Sequence, residues 1–177
     1  TDEDEKKLRN SGKKNKERRF YSSMITYVKG DITESGADVI VNLVNCEGKV
    51  DKLSHAVFSK YPQAKKWYAD ICSNPTVNPS KVHPSPLLGK ITYDYIPDLR
   101  VGEDTEDMVL IANCFIKEAA DDFINAKALG LCFSQLKQSV GKSSMAIPAA
   151  GAWAAEKILK DCDIAIYSKR RNALYNY

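Results

Sequence analysis

The sequence predicts an α/β protein, a three-layer α/β/α sandwich built on a mixed central sheet. Three observations predict it. Strand-like and helix-like runs alternate along most of the 177 residues. One run, Asp38–Val44, is apolar almost without interruption, as a strand buried on both faces must be. Two further strand-like runs, Leu88–Ile96 and Met108–Ile116, are joined by a polar stretch with no helical spacing, which suits an antiparallel excursion.

Taken in order, Met24–Lys29 is β-branched and aromatic and stops at Gly30-Asp31. Asp38–Val44 follows as the buried strand. Asp51–Lys60 and Pro62–Cys72 read as two short helices, with Pro62 suited to a first helical turn. Four prolines between Asn74 and Pro86 make that segment irregular. Leu88–Ile96 and Met108–Ile116 are strands flanking the acidic Asp98–Asp107 excursion. Ala119–Val140 repeats apolar residues at helical spacing. Ser143–Pro148 is a strand, Ala154–Leu159 a short helix, and Asp163–Tyr167 the last strand. The order is β-β-α-α-β-β-α-β-α-β.

Composition narrows the function classes. Hydrophobic residues make up 44% and charged residues 28%, the balance of a globular chain. No run approaches the roughly 18 apolar residues of a membrane span, and the charged N-terminal stretch does not read as a secretory signal. The net charge of +3 sits in residues 1–20, which hold 8 Lys/Arg and 5 Asp/Glu; the remaining residues balance at 18 of each. Residues 1–22 therefore read as a charged N-terminal arm, either solvated or binding RNA or a protein partner. Residues 23–168 read as the folded domain and 169–177 as a basic, aromatic C-terminal tail. Five widely spaced cysteines with no Cys-x-x-Cys read as free thiols in a reducing, cytoplasmic or nuclear setting. His55 and His83 are too isolated to complete a zinc site, so no metal and no cofactor are expected.

Several constellations suggest chemistry. Gly30-Asp31-Ile32-Thr33 follows a strand directly and leaves an acid at its carboxyl end, where open α/β sheets place ligands. Asp31 there either accepts a hydrogen bond from an exocyclic amine or caps a local turn. Asn42 and Asn45 close the buried strand and either meet a ligand hydroxyl or satisfy loop backbone. Gly141-Lys142-Ser143-Ser144 mimics the end of a phosphate loop, but Leu136 stands where the leading glycine is required and a strand follows. His55 beside Ser54 reads as surface.

Together these pieces resemble the macrodomain family. The likeness rests on Ile25-Thr26-Tyr27-Val28-Lys29-Gly30-Asp31-Ile32-Thr33 and on Ala37-Asp38-Val39-Ile40-Val41-Asn42-Leu43-Val44-Asn45-Cys46. Lys60-Tyr61-Pro62-Gln63-Ala64 with Tyr68, Leu87-Leu88-Gly89-Lys90, and Ile147-Pro148 leading to Gly151 resemble the branch of yeast-type ADP-ribose-1''-phosphate phosphatases and phage macrodomains. The resemblance implies ADP-ribose binding at the carboxyl edge of the sheet. It assigns Asp31 to the adenine amine, with Gly30 and the Ile32 backbone framing the base. It assigns Asn45 to the distal ribose near the reacting carbon, as the catalytic position, with Asn42 nearby. Gly48 in the first loop, and Pro148, Gly151 and Ala152 in the second, would clamp the diphosphate. Trp153 would stack on the distal ribose or enter the core. Hydrolysis of ADP-ribose-1''-phosphate or ADP-ribosyl linkages is one implied activity; an inactive module in a larger assembly is the other.

The sequence departs from that pattern at both phosphate loops. The first, Glu47-Gly48-Lys49-Val50-Asp51-Lys52-Leu53-Ser54, keeps one glycine and adds an acid. The second, Ala149-Ala150-Gly151-Ala152-Trp153, passes into a helix without a glycine run.

Overall fold

The computed structural model describes residues 25–169. Met24, the arm at 1–22 and the tail beyond Lys169 lie outside the described residues. Six strands form one sheet in the order β1-β6-β5-β2-β4-β3. β1 is Ile25–Lys29, β2 Val39–Asn45, β3 Ile91–Pro97, β4 Met108–Lys117, β5 Met145–Pro148 and β6 Ile164–Ser168. β3 alone is antiparallel, through its pairing with β4. The other five run parallel, so their carboxyl ends share one edge. The helices are α1 (His55–Lys60), α2 (Pro62–Ser73), α3 (Ala126–Val140) and α4 (Ala152–Ile158). The three-layer arrangement and the mixed sheet are those the alternation of runs predicts.

β2 shows why the apolar run is continuous. It lies between β4 and β5, and every one of its seven residues is buried. Alternation sends Val39, Val41 and Leu43 to one face, against Leu129, Cys132, Phe133 and Leu136 of α3. Ile40 and Val44 go to the other, against Phe58 of α1 and Tyr61, Ala64 and Tyr68 around α2. Burying each large side chain contributes about 1.5–3 kcal/mol. No helix among the described residues is long and apolar enough to cross a membrane.

Two helix starts differ from the periodic reading, each because a side chain competes for the first turn. α3 begins at Ala126, not Ala119, since Asn125 caps it by accepting from the Ala128 N–H at 2.9 Å. Residues 119–125 are instead a loop closed by Ala119 N–H on Asp122. α1 begins at His55, not Asp51, since the Asp51 carboxylate takes the N–H groups of Leu53 and Ser54. Strand β3 starts at Ile91 rather than Leu88, after a turn in which the Gly89 N–H bonds Phe115 O at 2.8 Å.

One irregularity positions the site. The β2–β4 register shifts between Val44 and Asn45, so that Val44 faces Phe115 but Asn45 faces Lys117. The extra residue on β4 turns Lys117 toward the end of β2.

Candidate functional site

The carboxyl edge of the sheet carries two corners of opposite character. At the β1 corner, pairing continues past the strand through Gly30 N–H to Ser168 O at 2.8 Å. Asp31 follows and caps a short 3-10 turn, Ile32–Glu34. Its Oδ1 accepts from Thr33 N–H at 2.9 Å and Thr33 Oγ1 at 2.8 Å. Oδ2 takes no bond from a described residue and keeps its acceptor capacity. Asp31 is exposed, so it both caps the turn and presents an oxygen outward.

A cavity of about 720 Å³ opens beside it. Gly30, Asp31 and Ile32 form one wall. Ser168, the last residue of β6, with Lys169, and Pro148, the last of β5, with Ala149 and Ala150, also line it. Lys52, Leu53 and His55, where the chain enters α1, close the far side. The wall is thus acidic at Asp31 and Glu34 and cationic at Lys52 and Lys169. The volume lies in the range of small-molecule sites. Among the described residues no three His, Cys, Asp or Glu side chains are grouped to hold a metal ion.

The β2 corner is closed. Asn45 is fully buried and both ends of its amide are bonded within the chain. Nδ2 donates to Lys49 O at 2.8 Å and to Asp51 Oδ2 at 3.0 Å. Oδ1 accepts from Glu47 N–H at 2.9 Å and shares the single Tyr68 hydroxyl proton, 2.8 Å away, with the Asn45 backbone carbonyl. Two protons and two lone pairs are all a carboxamide has. Asn45 therefore holds the loop, the second of the two roles its position allows, and its buried amide does not reach the cavity wall.

Asp51 is the centre of that loop. Oδ2 pairs with Lys117 Nζ at 3.2 Å, both side chains being about one-tenth exposed. Oδ1 accepts from Leu53 N–H at 2.9 Å and Ser54 N–H at 3.3 Å. A carboxylate of the chain thus occupies the N–H groups of Leu53 and Ser54, just ahead of the first turn of α1. Lys117 also donates to Ala120 O at 2.9 Å. Burial pushes the Cys46 thiol up to about 12 and the Cys72 thiol to about 11, and raises the Tyr68 phenol. These groups stay protonated at neutral pH and offer no nucleophile.

Of the residues singled out in the sequence, the cavity brings together Gly30, Asp31, Ile32 and Pro148. The others lie away from its walls. Asn42 is buried inside the sheet, where its Nδ2 donates to Asn113 Oδ1 at 2.9 Å. Gly48, with φ +83°, makes the turn before Lys49, and a Cβ there would stand 3.0 Å from Cys72 Cβ. Gly151 is buried, and a Cβ would stand 3.0 Å from the Phe133 ring, so this glycine serves helix packing. Ala152 opens α4. Trp153 is half exposed and belongs to neither the core nor the cavity wall. The second loop is a single 3-10 turn, Ala149–Gly151, running straight into α4.

Sequence reasoning missed three residues. His55, read as surface, lines the cavity, and so does Lys169, read as the start of a tail. Lys117 carried a usable signal: a lysine ending the apolar run Cys114–Ile116 is rarely buried without a partner.

No family model and no curated protein matches the sequence. Solved structures do. The macrodomain of Thermus aquaticus DarG is 16% identical with a TM-score of 0.59, over 84% of this chain and 99% of that one. The macrodomain of Mycobacterium tuberculosis DarG is 20% identical with a TM-score of 0.60, over 82% and 97%. Thermosipho africanus DarTG in complex with ADP-ribose is 18% identical with a TM-score of 0.61, over 85% of this chain and 43% of that one. At these identities the likeness is one of fold: this chain has a macrodomain-like α/β fold.

Proposed function

We propose that the cavity at the β1 corner binds ADP-ribose or a derivative of it, with the adenine at Asp31. The observation that carries this reading is the free Oδ2 of Asp31 at the wall of a nucleotide-sized cavity, on the sheet edge where such folds take ligands. An adenine presents an amine donor beside a ring-nitrogen acceptor. The Asp31 carboxylate matches the first, and the Ile32 N–H, at the start of the 3-10 turn, matches the second. Lys52 and Lys169 supply positive charge for a diphosphate. The complex of the similarly folded Thermosipho protein with ADP-ribose supports the choice of ligand.

The chain acts as a binder rather than a hydrolase. Turnover at the distal ribose requires a polar group aimed at the reacting carbon. Asn45, the residue the resemblance assigns there, is fully buried and bonded to the 47–51 loop, away from the cavity wall. The likeness of the Lys60–Ala64 and Leu87–Lys90 segments to the phosphatase branch makes ADP-ribose-1''-phosphate the first substrate to try. Five free, buried thiols support a reducing setting.

Calorimetric titration with ADP-ribose tests the reading. Micromolar binding that is lost in Asp31→Ala is the expected result. An absence of binding at millimolar ligand overturns it, and phosphate release from ADP-ribose-1''-phosphate overturns the assignment as a binder alone.

A further inference from the structure

The cavity follows only part of the sheet edge. Its floor and wall come from the ends of β1, β6 and β5, which are consecutive in the sheet. The next strand, β2, contributes nothing to it: Asn45 and Cys46 at its end are buried under the 46–54 loop.

That closure is built from bonds rather than from loose packing. The Asn45 amide is bonded to Lys49 O, Asp51 and Glu47 N–H, with Tyr68 OH 2.8 Å from Oδ1. Asp51 is tied to Lys117 on the neighbouring strand. Glu47 Oε1 accepts from the Ala120 N–H at 3.0 Å, fastening the loop to the segment after β4. Asn78 Nδ2 donates to Cys46 O at 2.9 Å from the opposite side. Opening this corner would break a buried ion pair and unsatisfy several buried polar atoms together, each at a cost of about 1–3 kcal/mol. A ribose hydroxyl cannot offset that.

Resting on the reading that adenine sits at Asp31, we infer that the site recognises the adenosine diphosphate portion of its ligand and makes no bond to a second sugar beyond the phosphates. From Asp31 the ligand runs across the β6 and β5 ends. There the phosphates meet the Lys52 side chain and the Ala149–Ala150 turn. Whatever is joined to the distal phosphate then leaves toward solvent, because the β2 corner is sealed. The ligand class is therefore any adenosine diphosphate ester, with the distal substituent unread. On the side of the cavity ahead of α1 the N–H groups of Leu53 and Ser54 are held by Asp51, so there the Lys52 side chain supplies the charge for the phosphates.

Calorimetric titrations of the full chain with ADP, ADP-ribose, AMP and adenosine test this. ADP and ADP-ribose are expected to bind within about threefold of each other, with AMP weaker by about tenfold or more. Lys52→Ala, at a side chain outside the core, is expected to weaken ADP and ADP-ribose by the same factor and leave adenosine unchanged. ADP-ribose binding about tenfold or more tighter than ADP overturns the inference while leaving the adenine site standing. So does a Lys52→Ala loss confined to one of the two ligands. Failure of all four ligands to bind overturns both the inference and the reading beneath it.

Discussion

Two aspartates stand just past the ends of parallel strands on the same sheet edge, and they have opposite surroundings. Asp31, after β1, is exposed and spends one oxygen on its own turn. Asp51, after β2, has a side chain only about one-tenth exposed and spends both, on two loop N–H groups, an asparagine and a lysine. A carboxylate with an unspent oxygen at a cavity wall can recognise a ligand. A carboxylate whose oxygens are all taken by the chain is a piece of structure. The difference lies in the neighbouring strand: β1 is an edge strand, whereas β2 is flanked by β4, whose shifted register delivers Lys117.

The largest effect expected from this contrast is at Asp51. Asp51→Ala leaves the Lys117 ammonium buried without its partner and should cost about 3–5 kcal/mol of folding stability. Urea unfolding measures it, and a loss below about 1 kcal/mol would mean the corner is not sealed by this pair. Asn45→Ala comes next. It unsatisfies Glu47 N–H and Lys49 O at once and should cost about 3 kcal/mol, read by the same unfolding curves.

Asp31→Ala should behave in the opposite sense. Affinity for ADP-ribose falls by about tenfold or more, while stability falls by only about 1 kcal/mol through the lost cap. Calorimetry and unfolding on one preparation separate the two, and equal stability losses at Asp31 and Asp51 would erase the distinction between the corners. Tyr68→Phe removes one hydroxyl from the closed corner and should cost about 1 kcal/mol without changing ligand affinity.

The smallest effect concerns pH. Arg100 grips Asp98 through two bonds, Nε to Oδ1 at 2.8 Å and Nη2 to Oδ2 at 2.9 Å, and also donates to Ser35 O, the cap of the turn that carries Asp31. The hydrogen bonds from Arg100 hold the Asp98 carboxyl below its usual range. The folded value is depressed, so the pair's contribution is complete above the unfolded value of about 4 and is lost as pH falls through the lower folded value. Protection of the amides at residues 31–35 from exchange, relative to the unfolded chain at the same pH, should therefore fall below about pH 4 and be low at all pH in Arg100→Ala. Exchange in that turn that ignores both changes would show that the open corner does not depend on this pair.

Much of the fold was legible because it rests on local periodicity. Asp38–Val44 has to be a central strand, since only burial on both faces tolerates an unbroken apolar run. Ala119–Val140 shows helical spacing, but its start was misplaced because spacing does not reveal that Asn125 caps the helix. At the site, Gly30-Asp31 after a strand was readable for the same local reason. His55 and Lys169 were not, because what lines a cavity depends on how the ends of separate strands and a helix converge. Asp51 read as a charge opposing a phosphate because its partner is far away in sequence.

The chain's own pattern of residues therefore determined the layers, the central strand and the acid at the tip of β1, all of which follow from period-two and helical spacing and from one glycine turn. The tertiary structure alone decided which strand end is open. A one-residue shift between β2 and β4 brings Lys117 to Asp51, and hydrogen-bond saturation, unlike periodicity, depends on which atoms meet across strands.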